Sequence, residues 1–218
     1  MSTLPHATSA ESSGRTKYEI SMFETDLTLP HSYAVEESGE FPGSGSLPFP
    51  LLHFPPPRPA HDGLWVKITP ATGKTWIGVF AFLFDSPTAF SRVISTHDPN
   101  RVCVVSKGAG YIVKSDEPEV WEEIVIEVLG LLSVPEHQLL IFSGYTRLAA
   151  YGSNGLAWRS PRVCWDELTI LNVTHDTIEG IGYDPTNSSS SEMRFAVDVR
   201  TGRSLLPAPT SADGKPIW

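Results

Sequence analysis

The sequence predicts an all-β protein assembled from antiparallel four-stranded units. Three observations predict it. From Gly63 onward, short apolar runs rich in β-branched and aromatic residues alternate with turn clusters, and no helical periodicity of useful length appears. A twelve-residue pattern recurs without gaps as "WVKITPATGKTW" (65–76), "GYIVKSDEPEVW" (110–121), "RLAAYGSNGLAW" (147–158) and "RFAVDVRTGRSL" (194–205). A second pattern of strand, polar turn and strand precedes the last three copies, as "SRVISTHDPNRVCVVS" (91–106), "VLGLLSVPEHQLLIFS" (128–143) and "LTILNVTHDTIEGIGY" (168–183).

Residues 1–62 form a regime of their own. "ATSAESSG", "EESGEFPGSGS" and "LPFPLLHFPPPRPAHDG" are dominated by Ser, Gly, Glu and Pro. Such segments bury too little apolar surface to offset chain entropy, so a largely disordered arm is expected. Only "KYEISMF" (17–23) alternates like a strand. "PPPRP" (55–59) favours an extended polyproline II spacer. Residues 63–206 are then the β-repeat domain and 207–218 a C-terminal tail.

Each twelve-residue copy reads as a hairpin. Its second position is Val66, Tyr111, Leu148 or Phe195, and its fourth is Ile68, Val113, Ala150 or Val197. The ninth is the turn former Gly73, Pro118, Gly155 or Gly202, and the last is the large apolar anchor Trp76, Trp121, Trp158 or Leu205. Apolar residues at period two, a turn and an anchor describe a β-hairpin. This settles the reading of "GKT" at 73–75, which spells the end of a phosphate-binding loop. Such a loop needs a glycine five positions earlier, where Ile68 stands, and a following helix, where the apolar run "WIGVFAFLF" (76–84) reads as a strand. The "EEIVIEVLGLL" run (122–132) resolves into two short strands, because its β-branched residues and Gly130 oppose a helix.

The two patterns together make about four short strands in roughly 40 residues, the dimensions of a blade. Over residues 63–206 the chain resembles β-propeller repeats, and "FAVDVRTGRSL" resembles the outer hairpin of quinoprotein-type or surface-layer-type blades. The resemblance implies a small or incomplete β-propeller-like fold. The span holds between three and four units at about 40 residues each, fewer than propellers use. Closure therefore needs the N-terminal region or a second copy; a two-sheet β-sandwich or open meander needs neither. The run 76–84 is apolar at nearly every position, so both its faces should be covered, by the arm, the tail or another subunit.

Composition narrows the function classes. With net charge −9, the chain repels phosphate backbones and anionic surfaces, which argues against nucleic-acid and membrane partners. No apolar run reaches 18 residues, and the first residues lack the basic and apolar regions of a secretory signal. The two cysteines, Cys103 and Cys164, make neither a disulfide framework nor a metal spacing, so a reducing cytoplasmic setting is expected. Both read as structural thiols. No nucleotide fingerprint, nucleophile elbow or zinc-protease motif occurs.

Histidines at three inner turns are the candidate metal ligands: His97, His137 and His175, with Asp98 and Asp176 beside two of them. In a closed ring these turns would crowd near the axis and could hold a divalent metal such as zinc with an open position. Turn chemistry is the simpler account, because Asp, His, Asn and Pro suit tight turns. The acidic stretch "DEPEVWEEIVIE" (116–127) reads as a solvated or edge-protecting face rather than a cation site. The repeat tryptophans read as packing anchors, whereas Trp165 and Trp218 fall outside the repeat and are candidates for an interface. The expectation is a non-enzymatic binding or interaction protein on a rigid β scaffold, with a protein partner or self-association and no cofactor. The alternative is a small metal-binding protein or hydrolase using the inner-turn His and Asp residues.

Overall fold

The computed structural model describes residues 23–38, 48–56, 62–86, 88–185 and 191–207. Its strands are β1 (Glu24–Asp26), β2 (Tyr33–Glu37), β3 (Leu51–Phe54), β4 (Gly63–Pro70), β5 (Trp76–Ala81), β6 (Arg92–Ser95), β7 (Arg101–Ser106) and β8 (Ala109–Lys114). They continue as β9 (Trp121–Glu123), β10 (Gly130–Val134), β11 (Leu139–Ser143), β12 (Leu148–Gly152), β13 (Gly155–Arg159), β14 (Asp166–Val173), β15 (Thr177–Tyr183) and β16 (Glu192–Asp198). One 3₁₀ turn, Pro135–His137, is the sole helical element among the described residues. No helix there is long and apolar enough to cross a membrane.

Four sheets result, in the orders β2-β4-β5-β3, β1-β6-β7-β8-β9, β10-β11-β12-β13 and β14-β15-β16. Six of the seven hairpins expected from the two repeats are present: β4–β5, β8–β9 and β12–β13 from the twelve-residue pattern, and β6–β7, β10–β11 and β14–β15 from the other. The fourth twelve-residue copy closes more loosely, with Ser204 bridging back to Val197. "GKT" lies in the β4–β5 turn, where Gly73 takes φ +106°, a conformation that favours glycine. "EEIVIEVLGLL" contributes the end of β9 and the start of β10.

Three apolar interfaces hold the sheets in sequence order. Leu64, Val66, Ile68 and Phe80 of the first sheet meet Val102, Val104, Tyr111 and Val113 of the second. Cys103, Val105 and Ile112, on the opposite face of the second sheet, meet Leu140, Phe142, Ala149 and Tyr151 of the third. Ile141, Leu148, Ala150 and Trp158 of the third meet Ile178, Phe195, Val197 and Val199 of the fourth. The strand sequences follow from this stacking. β7 and β11 are covered on both faces and read as continuous apolar runs, whereas β15 and β16 alternate. No buried cluster joins the first sheet to the fourth among the described residues, and the array stays open. The all-β expectation holds, sheets of three to five strands match the expected four-stranded units only loosely, and no closed propeller forms among the described residues. Ring closure needs a fourth sheet interface, and the three clusters already account for the described core.

The N-terminal arm is less idle than its composition predicts. β2 pairs antiparallel with β4, β3 pairs parallel with β5, and β1 adds parallel to β6. The arm therefore supplies edges to the first two sheets. β3 pairs along one edge of the apolar β5. "KYEISMF" (17–23), apart from Phe23, and residues 57–61 lie outside the described residues, as does the tail beyond Pro207.

Candidate functional site

The three inner-turn histidines lie in the turns between β6 and β7, β10 and β11, and β14 and β15. Among the described residues, no group of three or more His, Cys, Asp and Glu side chains is placed to hold a metal ion. The reason is that the rings serve as ties between successive sheets. His97, after β6, lies against the main chain of Leu139, the first residue of β11. His137 Nε2 donates to the carbonyl of His175 at 2.5 Å, which fixes it as the Nε2–H tautomer. Each of these two histidines thus reaches from one inner turn to the next sheet. His175 belongs to the last sheet and has none beyond it; its Nε2 accepts from Arg200 Nη2 at 3.1 Å.

The pair His137 and His175 does come together, with ring centroids 4.7 Å apart. His175 borders a cavity of about 470 Å³ between the β10 and β14 ends, lined also by Leu132, Pro135, Glu136 and Thr174. The aspartates have turn and pairing roles. Asp98 accepts from the Asn100 amide at 3.0 Å and lies 3.5 Å from Arg101, while Asp176 lies 3.6 Å from Arg200. Burial lowers the His97 pKa, the neighbouring Leu139 main chain opposing it, and its Nε2 is buried without a partner among the described residues.

The acidic stretch is partly neutralised from outside itself. Glu122 pairs with Arg101 at 2.8 Å, and Lys114 pairs with Glu117 at 2.5 Å. Glu119 pairs with no described residue. Both thiols are buried. Burial pushes Cys103 up, and burial with Asp166 nearby pushes Cys164 to about 11. Thiols held that far above neutral pH are poor nucleophiles.

Two repeat tryptophans tie the outer hairpins as the histidines tie the inner turns. Trp76 Nε1 donates to the carbonyl of Ser115 at 2.7 Å, and Trp158 Nε1 donates to that of Val199 at 2.8 Å. Each donor is the last position of one repeat copy; each acceptor is the sixth position of the next. Trp165 is half-buried in the connection between β13 and β14, with the Arg162 guanidinium 4.7 Å over its ring. Trp218 lies outside the described residues.

The surface that the sequence reading missed is the outward face of the last sheet. Leu171 is 64% exposed, Tyr183 40% and Leu206 42%. A cavity of about 310 Å³ there is lined by Leu171, Ile181, Ala196 and Leu206, with Glu179 and Arg194 supplying opposite charges. The signal was present in the alternation of β15 and β16, but which face meets the third sheet follows only from the stacking.

The class of protein defined by this geometry is an open array of four β-sheets built on a repeated pair of hairpins. Compared with known proteins, the chain matches no family model and no curated sequence.

Proposed function

We propose that the protein is a non-enzymatic binding protein, a rigid β-sheet scaffold that engages a protein partner through the outward face of its last sheet. One observation carries this reading: that face leaves Leu171, Tyr183 and Leu206 exposed and holds a cavity lined by Leu171 and Leu206, while each of the three inter-sheet faces is packed. Exposed apolar area rimmed by charge is the composition of recognition surfaces. A photo-crosslinking residue at position 171 tests it. A discrete protein adduct is expected in cells, lost when Ile181→Asp is added and not formed from position 72 in the β4–β5 turn. The same adducts from both positions, or none from 171, would refute the assignment.

A second reading, a metal-binding or hydrolytic role for the inner-turn residues, has one observation in its favour, the 4.7 Å approach of His137 and His175. Against it, His137 Nε2 is engaged by a carbonyl and His175 Nε2 faces a guanidinium. Native mass spectrometry of protein purified without chelator decides between them. A zinc adduct lost in both His137→Ala and His175→Ala would favour the second reading.

A further inference from the structure

The repeat rule breaks at one anchor, and the break coincides with a cavity. Trp76 and Trp158 each donate to a main-chain carbonyl of the following sheet. Trp121 holds the same repeat position, yet its indole makes no hydrogen bond with a described residue. Its ring is half-buried and turns instead toward the N-terminal arm, meeting Phe54 edge-on at 5.7 Å with an interplanar angle of 80°. Phe54 is held from behind by Phe80, stacked at 4.8 Å.

The space beside Trp121 is a cavity of about 340 Å³, within the usual range for small-ligand sites. Leu51, Leu52, Phe54 and Pro56 from the arm form one wall, and Trp121 with the Pro118–Glu119 turn forms the other. Two polar groups accompany this apolar lining. Glu119 lines the cavity, is exposed and has no cationic partner among the described residues. His53 lines the cavity, and its Nδ1 is buried without a hydrogen-bond partner there.

We propose that this cavity binds a small organic cation, an ammonium group on an apolar body. The positive charge lies against the Trp121 ring and the Glu119 carboxylate, and the apolar body occupies the space between Leu52 and Phe54. The aromatic face attracts a cation through its quadrupole, and a desolvated indole does so most strongly. The Glu119 carboxylate, which has no cationic partner among the described residues, adds electrostatic attraction, and the net charge of −9 favours the approach of cations over anions. The site is separate from the outward face of the last sheet, so it stands or falls independently of the partner-binding reading.

Calorimetric titration of the full chain with benzyltrimethylammonium tests the proposal, with benzyl alcohol as neutral comparator. The expected result is saturable one-to-one binding of the cation at least about tenfold tighter than the alcohol, the scale of a partly desolvated cation–aromatic contact. Trp121→Leu should weaken the cation about tenfold, Glu119→Gln about fivefold, and Trp121→Phe less than Trp121→Leu. Thermal melts of each variant confirm that the fold is retained, and Glu119→Gln, on the exposed turn, keeps the test valid if Trp121→Leu fails to fold. Absence of saturable binding, equal affinity for benzyl alcohol, or cation binding unchanged in Glu119→Gln and Trp121→Phe would overturn it.

Discussion

The indole of Trp158 donates a 2.8 Å hydrogen bond to the carbonyl of Val199, tying the third sheet to the fourth where their apolar faces meet. The bond joins the end of one repeat to the middle of the next. It combines burial of a large ring with satisfaction of a buried main-chain acceptor. Trp158→Ala should therefore destabilise by about 3–5 kcal/mol. Trp158→Phe keeps most of the packing but leaves the Val199 carbonyl unpaired, at about 1–3 kcal/mol. Urea denaturation measures both, and a wild-type midpoint for the alanine variant would count against the inter-sheet role.

Gly202 lies under the same indole, with φ +66°, and a β-carbon there would overlap the Trp158 ring. Gly73, its counterpart in the first repeat copy, also has positive φ, but a β-carbon there would stand 3.7 Å from the nearest atom. Alanine at either position incurs backbone strain of about 1–3 kcal/mol. Gly202→Ala should lose a further ~1–3 kcal/mol to overpacking. The ordering of the two melting temperatures is the readout, and equal losses would contradict the packing argument.

The N-terminal arm should be needed for stability. Deleting residues 1–50 removes β1 and β2, which pair with β6 and β4. Lower solubility and a lower melting temperature are expected, and an unchanged melt would show those pairings to be dispensable. A gentler probe is Tyr33→Phe. The Tyr33 hydroxyl donates to the carbonyl of Arg101 at 3.0 Å, so its loss should cost about 1 kcal/mol.

His97 makes stability depend on pH in a defined direction. Its folded-state pKa is lowered by burial, so on acidification the unfolded chain takes up the proton first. Its contribution is fully present above the ordinary histidine value of about 6.5 and is lost progressively as pH falls from there toward the lowered folded-state value. Denaturant titrations between pH 7.5 and 5 should show a shallower decline for His97→Gln than for the wild type. Identical slopes would mean that the ring does not titrate differently on unfolding.

Both cysteines should resist thiol reagents at neutral pH until the chain unfolds, because each is buried and burial holds each thiol in its protonated form. A colorimetric thiol assay checks this. Rapid reaction of two thiols in the native state would contradict the burial, whereas two reacting only in denaturant would support it.

Much of the fold was legible along the chain. The all-β class, the hairpins and the turn at "GKT" follow from period-two apolar positions and turn residues, which are local properties of the backbone. The burial of β5 was legible in its unbroken apolar run. The sequence likewise marked the inner-turn histidines as a set, because they recur at related positions. What they do was decided in three dimensions. Whether His97 and His137 converge or reach forward depends on the distance and angle between sheets, and the stacking turns them into ties to Leu139 and His175. The same holds for the arm, whose Gly- and Pro-rich composition hides strands that form only when the edges of β4, β5 and β6 offer unpaired backbone groups. The open end of the array, with Leu171 on its outer face, and the departure of Trp121 from its repeat are also tertiary outcomes. Local pattern specifies strands and turns, but only the packing of whole sheets selects which faces are covered and which side chains are left to act.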